Sequence, residues 1–343
     1  MTQPAKTRER PRIGITLGDI NGVGPEVTIK ALGDNRLLNM ITPVVYGSSK
    51  ILSFYRKLLN IEEFNYSQVR NRGQYLPKSI NVVTCWDENL EAHPGKASQE
   101  TGKAALQALK QAATDLKEGM LDALVTAPID KNTIHSNEFP FKGHTEFLAE
   151  FFGAKEHLML LVNDTLRVGL VTGHVPIREV APLITRERVE SKLKALEQTL
   201  RKDFGIPKPK IAVLGLNPHA GDGGVIGDED EKILKPLIND LKNQGKTVFG
   251  PHPSDGFFAA GNYLKYDGIL AMYHDQGLIP FKSMAFDTGV NFTAGLSAIR
   301  TSPDHGTAYA IAGKNQASEN SMRQAIYSAI DILKNRQEQS TEK

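Results

Sequence analysis

Three histidines in this 343-residue chain each follow a short apolar run and precede a Pro, Gly or polar turn: His174 in VGLVTGHVP, His219 in IAVLGLNPHAGDGG and His274 in GILAMYHDQG. Runs of this kind read as buried strands. In open α/β sheets ligands gather outside the carboxyl ends of strands, so histidines far apart along the chain can converge there. Three imidazoles make an open metal site, because three protein ligands leave positions for water or substrate, the arrangement of a catalytic centre and not of a closed structural one. Zinc, cobalt, manganese and magnesium all accept such ligands, with different affinities. Asp222, Glu229 and Asp275 lie close enough in sequence to fix the ring tautomers as hydrogen-bond acceptors. Any one histidine at a strand end is more often a hydrogen-bonded turn residue, and no HExxH spacing narrows the geometry; the coincidence of three carries the reading. His93, His135, His157 and His252 have no such setting and read as surface or loop residues.

Other groups raise a second kind of chemistry. In FPFKGHTEFLAEFF, Gly143, His144 and Thr145 open an apolar, aromatic helix, with Thr145 as a candidate N-cap and Glu146 in the first turn. A helix start attracts anions through its free N–H groups, so the turn suits a phosphate or carboxylate, while simple capping is the competing account. Lys282, Asn291 and Arg300 sit among small and apolar residues, where a charged side chain needs a partner. An anionic ligand would supply one; ion pairs with Asp287 or Asp304 would do so equally well. The early loop GDINGVGPEV is Gly-rich and places Pro25 near the first helical position, but it lacks the GxGxxG spacing, and turn geometry alone accounts for it.

Strands must deliver these groups, and the chain alternates them with helices. Apolar runs predict strands at 13–17, 43–46, 81–84, 123–126, 158–162, 168–172, 210–216 and 268–273, with helices over 100–118, 185–203 and 230–244. The alternation predicts an α/β fold, an open sheet with helices on both faces. Motif positions divide it into a first lobe, 1–135 with 301–343, and a second lobe, 136–300, carrying the candidate metal and substrate residues. Acidic and basic residues nearly cancel, 39 against 41, and the basic ones are dispersed, which excludes a nucleic-acid surface. One cysteine, Cys85, excludes an intrachain disulfide and a cysteine-based zinc cluster and fits a reducing, cytoplasmic setting. No run is long and apolar enough to span a membrane. The polar start MTQPAKTRERPR reads as disordered, and the tail KNRQEQSTEK as frayed.

Taken together and in order, VTAPIDK, GHTEF, VTGHVPIREV, LNPHAGDGG, YHDQGLIPFK and VNFTAGLSAIRTSPDHGTAY resemble the 4-hydroxythreonine-4-phosphate dehydrogenase family of vitamin B6 biosynthesis, from about Arg12 to Leu333. More distantly, GDINGVGPEV and SPDHGTAYAIAGK are similar to the opening loop and nucleotide-binding loop of isocitrate and isopropylmalate dehydrogenases. The resemblance implies an isopropylmalate-dehydrogenase-like fold, two α/β/α lobes with an active-site cleft between them, and a homodimer with shared active sites. It implies metal ligands at His174, His219 and His274, drawn from both subunits. It places substrate contacts at His144, Thr145, Lys282, Asn291 and Arg300, and cofactor contacts at Ser302, Asp304, His305 and Gly306. The implied reaction is oxidation of 4-phosphooxy-L-threonine at its C3 hydroxyl by NAD or NADP, with decarboxylation to 3-amino-2-oxopropyl phosphate. A divalent metal such as zinc, magnesium or cobalt assists, and Asp275, Lys282 or a bound water acts as base.

The opening loop departs from that family at Ile20 and Asn21, where relatives often have Pro-Ala, and the stretch GKNQAS is the weakest match. Both bear on cofactor choice more than on reaction type. Rival readings are a dehydrogenase of threonate or erythronate 4-phosphate, a metal-dependent hydrolase or aldolase, and a noncatalytic phosphometabolite sensor.

Overall fold

The computed structural model describes residues 10–86, 89–154 and 156–341. The chain divides into two compact α/β units, Met1–Ala154 with Leu296–Leu333, and Lys155–Gly295 with Lys334–Lys343. The first nine residues of the polar start, expected to be disordered, lie outside the described residues.

Six strands form the sheet of the first unit: β1 (Arg12–Thr16), β2 (Thr42–Gly47), β3 (Tyr66–Gln68), β4 (Ile80–Thr84), β5 (Ala123–Thr126) and β12 (Arg300–Pro303). They run in the order β3-β4-β2-β1-β5-β12, parallel throughout. Parallel strands of this kind need both faces covered, which is why β2 and β5 are buried along their whole length. The helix Gln99–Lys117 packs across the sheet, capped by the Ser98 hydroxyl, which accepts the Thr101 N–H. Its buried stripe is rich in alanine, and Ala108, Ala112 and Leu116 meet Val44, Tyr46 and Leu124. One buried carboxylate on this helix, Asp115, is satisfied by the Tyr46 hydroxyl at 2.6 Å, Gln111 at 2.8 Å and Arg72.

At Gly102 the same helix runs against the Thr133 carbonyl so closely that a Cβ would overlap it and the adjoining backbone. Gly102→Ala is therefore expected to lose about 2 kcal/mol or more despite the higher helix propensity of alanine, read as a lower urea midpoint at unchanged slope. An unchanged or raised midpoint would show that the backbone yields there at little cost.

The sheet of the second unit contains β6 (Leu158–Val162), β7 (Arg167–Leu170), β8 (Ile211–Leu214), β9 (Val248–His252), β10 (Gly268–Ala271) and β11 (Val290–Ala294). Their order is β11-β6-β7-β10-β8-β9. β6 is antiparallel to both neighbours, while β7, β10, β8 and β9 run parallel. Val168, Leu170, Ala212, Leu214, Ile269 and Ala271 from three adjacent strands build its core with Leu278 and Phe281.

The unit boundaries and the tail differ from those read in the sequence. The segment 136–154, expected in the second lobe, belongs to the first unit because Phe139, Phe147 and Leu148 pack on Ala105, Leu106 and Leu109 of the helix Gln99–Lys117. His144 and Thr145 move with it, and Arg300, also expected in the second lobe, lies in the first unit, which resumes at Leu296. The tail is not frayed as far as it is described: a helix spans Asn320–Thr341, and the last two residues lie outside the described ones. Arg336 Nε donates to Asp203 at 2.6 Å, and the Asn335 and Gln339 amides donate to the carbonyls of Asp203 and Arg201, each at 2.7 Å.

Candidate active site

Parallel pairing decides where the histidines stand. The β7–β10 ladder continues past the strands through Val171 N–H to Ala271 O at 2.9 Å and Thr172 N–H to Met272 O at 3.1 Å. His174 and His274 each leave the sheet two residues after that last rung. Neighbouring strands lie about 4.8 Å apart, so the two imidazoles must meet. Their ring centroids are 5.5 Å apart, tilted by 42°. His274 opens the helix His274–Ala285, where the sequence suggested only a polar turn. Its Nδ1–H donates to Asp275 Oδ1 at 2.6 Å, because a carboxylate only accepts. Nε2 is then the ring position left for another ligand.

His219 follows β8, which pairs with the other edge of β10, so the three histidines succeed three consecutive parallel strands. His219 is exposed, four residues beyond Gly215, in a turn of left-handed backbone. Among the described residues of this single chain, no three His, Cys, Asp or Glu side chains stand close enough together to hold a metal ion. Sheet order thus brings His174 and His274 together, and His219 to the adjacent strand end without closing a triad within one chain. Of the proposed tautomer-fixing acceptors, Asp275 holds an imidazole; Glu229 instead accepts the Asn217 side-chain amide at 2.8 Å. Gln276, not singled out from the sequence, ties the two strand ends together: its amide donates to Gly215 O at 2.5 Å and Ser254 Oγ at 2.8 Å while its carbonyl accepts Met272 N–H at 2.6 Å. His252, read as a surface residue, is half-buried on β9, 3.1 Å from the Tyr266 hydroxyl and stacked beside Phe257.

In the same unit, Lys282 is exposed on the helix His274–Ala285, and Asn291 lies half-buried on β11 with a buried Oδ1 that has no hydrogen-bond partner among the described residues.

The first unit holds a buried cationic cluster. Arg300, on β12 and 3% exposed, reaches across to β5, where its Nε and Nη2 donate to the Thr126 hydroxyl at 3.0 and 2.7 Å. Burial pushes the guanidinium down to about 10, with Glu146 opposing. His144 begins the helix His144–Phe151, with Gly143 and not Thr145 at the cap position; Thr145 is in the first turn. Burial, Arg300 and Lys131 hold the His144 imidazole well below its ordinary range, and its buried Nε2 has no hydrogen-bond partner among the described residues. A neutral ring beside a guanidinium and an ammonium offers a donor in a positive field, which suits an oxyanion. Thr126 and Lys131 were overlooked in the sequence, although both lie in VTAPIDK, directly at and after a strand end.

The His144 shift also has a pH consequence. The unfolded chain protonates its imidazole near about 6.5 while the folded one resists, so stability is complete above that pH and falls below it by up to about 1.4 kcal/mol per unit from this group. His144→Gln is expected to flatten the loss of urea midpoint between about pH 7 and 5.5; an equally steep loss in the variant would assign the acid sensitivity to other groups.

The residues matched to cofactor binding, Ser302, Asp304, His305 and Gly306, occupy the end of β12 and the loop after it. Asp304 N–H donates to Ser321 Oγ at 2.9 Å, and His305 Nδ1 contacts Gly306 O at 3.0 Å. GDINGVGPE is more than a turn. Buried Asp19 accepts the Tyr309 hydroxyl at 2.8 Å; Asn21 accepts His93 N–H at 2.6 Å and donates to Lys96 O at 2.7 Å; Glu26 accepts the backbone N–H groups of Gly313 and Ala317, each at 3.1 Å. The loop is a polar clasp that fixes the segments at 93–96 and 309–317.

Comparison with known proteins adds three findings. Residues 39–329 match the family model described as "Pyridoxal phosphate biosynthetic protein PdxA". A 4-hydroxythreonine-4-phosphate dehydrogenase of Bacteroides thetaiotaomicron is 50% identical over 327 residues, covering 95% of this chain and 90% of that protein. The crystal structure of 4-hydroxythreonine-4-phosphate dehydrogenase from Klebsiella pneumoniae superposes with a TM-score of 0.82 at 34% identity, covering 96% of this chain and 99% of that one. Among the described residues, no helix is long and apolar enough to cross a membrane.

Proposed function

The chain belongs to the PdxA family of pyridoxal phosphate biosynthetic proteins, and from that premise we propose that it oxidises the C3 hydroxyl of 4-phosphooxy-L-threonine. Hydride passes to NAD or NADP, and the resulting β-keto acid loses carbon dioxide to leave 3-amino-2-oxopropyl phosphate. The observation that carries this reading beyond family membership is the pairing of His174 with His274 on adjacent strand ends, with His219 following the next strand.

The donor set fits a divalent cation, since imidazole suits zinc and cobalt and Asp275 fixes the orientation of the His274 ring. His174, His219 and His274 of a homodimer, contributed by both subunits, would hold zinc, cobalt or magnesium, which would supply Lewis acidity at the reacting oxygen. Arg300 and His144, with Thr145, bind an anionic group of the substrate, and we assign Lys282 and Asn291 polar contacts to the substrate as well. Phosphate binding away from the reacting carbon orients the substrate and leaves C3 to the chemistry. Asp275 and Lys282 are the groups to which we assign movement of the hydroxyl proton. Ser302, Asp304, His305 and Gly306 hold the dinucleotide.

Exposed Ile279 and Phe286, 62% and 82% accessible, support the dimer: at seven-residue spacing they share a helical face with Lys282, which a partner would cover. A small phosphorylated substrate and a single free cysteine suit a cytoplasmic enzyme.

The reading is tested by supplying 4-phosphooxy-threonine and the 4-phosphates of threonate and erythronate with NAD or NADP, with and without chelator. Reduced nicotinamide should form fastest from 4-phosphooxy-threonine and stop on chelation. Faster turnover of threonate phosphate would reassign the substrate, turnover without nicotinamide would make the protein a hydrolase or aldolase, and binding without turnover would make it a sensor.

A further inference from the structure

Beyond β8 six consecutive residues have left-handed φ: His219 (54°), Ala220 (52°), Gly221 (83°), Asp222 (43°), Gly223 (68°) and Gly224 (95°). Glycine enters this region freely, whereas each Cβ-bearing residue there opposes it at about 1–2 kcal/mol. Such strain persists only where the surroundings over-determine it. Against this turn packs Asp230, which is completely buried and opens a π-helical turn, Asp230–Leu234. Its Oδ1 accepts Leu216 N–H at 2.9 Å, and Oδ2 accepts both the N–H and the side-chain amide of Asn217, at 3.1 and 3.0 Å. Gly215 and Gly221 lie so near that a Cβ on either would press on the Asp230 side chain. Three donors immediately ahead of the strained turn therefore end on one carboxylate, and the π turn, a distortion that re-aims side chains, presents it to them.

We propose that Asp230 is a positioning residue that locks the left-handed turn and so aims His219 for the divalent cation. The second half of this inference rests on the cation reading above; the lock does not. A carboxylate accepts at both oxygens, whereas an amide would set its own N–H groups against those of Leu216 or Asn217.

The test has a cation-free and a cation-loaded arm. Hydrogen exchange on the cation-free protein should rise about tenfold in peptides spanning 215–226 of Asp230→Asn, with β7 and β10 as protected as in the wild type. Calorimetric titration with Co²⁺ alone should show affinity reduced about 10-fold or more, as for other outer-shell ligand supports. Asp228→Asn removes the same charge from an exposed neighbour and should leave both readouts within about twofold. Asn217→Ala removes one of the three bonds, together with the amide's bond to Glu229, and keeps the carboxylate; exchange there should rise about threefold, beyond any rise in Glu229→Gln, which keeps the lock testable if Asp230→Asn does not fold. Unchanged exchange in Asp230→Asn, or in Asn217→Ala where Asp230→Asn does not fold, overturns the lock. Faster exchange with wild-type Co²⁺ affinity overturns the link to His219. A wild-type protein that ignores Co²⁺, with the exchange result standing, overturns the cation reading and the aiming role built on it, and leaves the lock supported.

Discussion

Arg300→Met should lower kcat/KM for 4-phosphooxy-threonine by about 10²-fold or more, mostly through KM, because a charge-assisted bond to a substrate oxyanion inside a protein contributes roughly 3 kcal/mol. The side chain is buried on β12 and steadied by the Thr126 hydroxyl, so its fork is held before any ligand arrives. Methionine keeps the length and apolar contacts of the arginine stem and removes the charge. Arg300→Lys should recover little, since one ammonium cannot hold Thr126 and a substrate oxygen in the same geometry. His144 should respond as well: its pKa rises when Arg300 leaves, because the guanidinium is one of the groups depressing it. Wild-type KM in the Arg300→Met enzyme would show that Arg300 serves β5–β12 packing and not the substrate.

The second large effect is expected at the paired imidazoles. His174→Ala and His274→Ala should each cut turnover by about 10³-fold, the scale of a lost metal ligand. Both residues lie at strand ends, His174 exposed and His274 partly so, and melting temperatures should therefore move by only a few degrees. Asp275→Asn should cost about 10- to 100-fold by loosening the His274 ring. Turnover and stability lost together in the histidine variants would assign the pair to the fold.

Why the histidines were readable in the sequence follows from the sheet. Each apolar run with a polar stop, such as VGLVTGH and GILAMYH, is a parallel strand buried on both faces, and such strands announce both themselves and their ends. That β7, β10 and β8 are neighbours is a matter of sheet order, which no local pattern encodes. The strands β11 (VNFTA) and β12 (RTSP) were not read as strands because their polar residues mask the periodicity; Asn291 and Arg300 stand on them as candidate site residues. The polar anchors were equally hidden. Asp230 lies in the acidic stretch GDEDEK, which reads as a solvated helix start, and only the tertiary fold turns one of its carboxylates inward. GDINGVGPE looked like a turn because Asp19, Asn21 and Glu26 find their partners far along the chain, at Tyr309, the 93–96 segment and the 313–317 segment. The lobe boundary was misplaced for a related reason: the aromatic segment 139–152 is bound to the first unit by side-chain packing with the helix Gln99–Lys117, and composition carries no trace of which helix a phenylalanine will meet.

The convergence of three imidazoles on one divalent ion is tested most directly by crystals grown with Co²⁺ and measured at the cobalt absorption edge. A single anomalous peak within about 2.2 Å of ring nitrogens from His174, His219 and His274, summed over both subunits, is the result expected here. A peak bound elsewhere, or one that His174 and His274 share without His219, would contradict it.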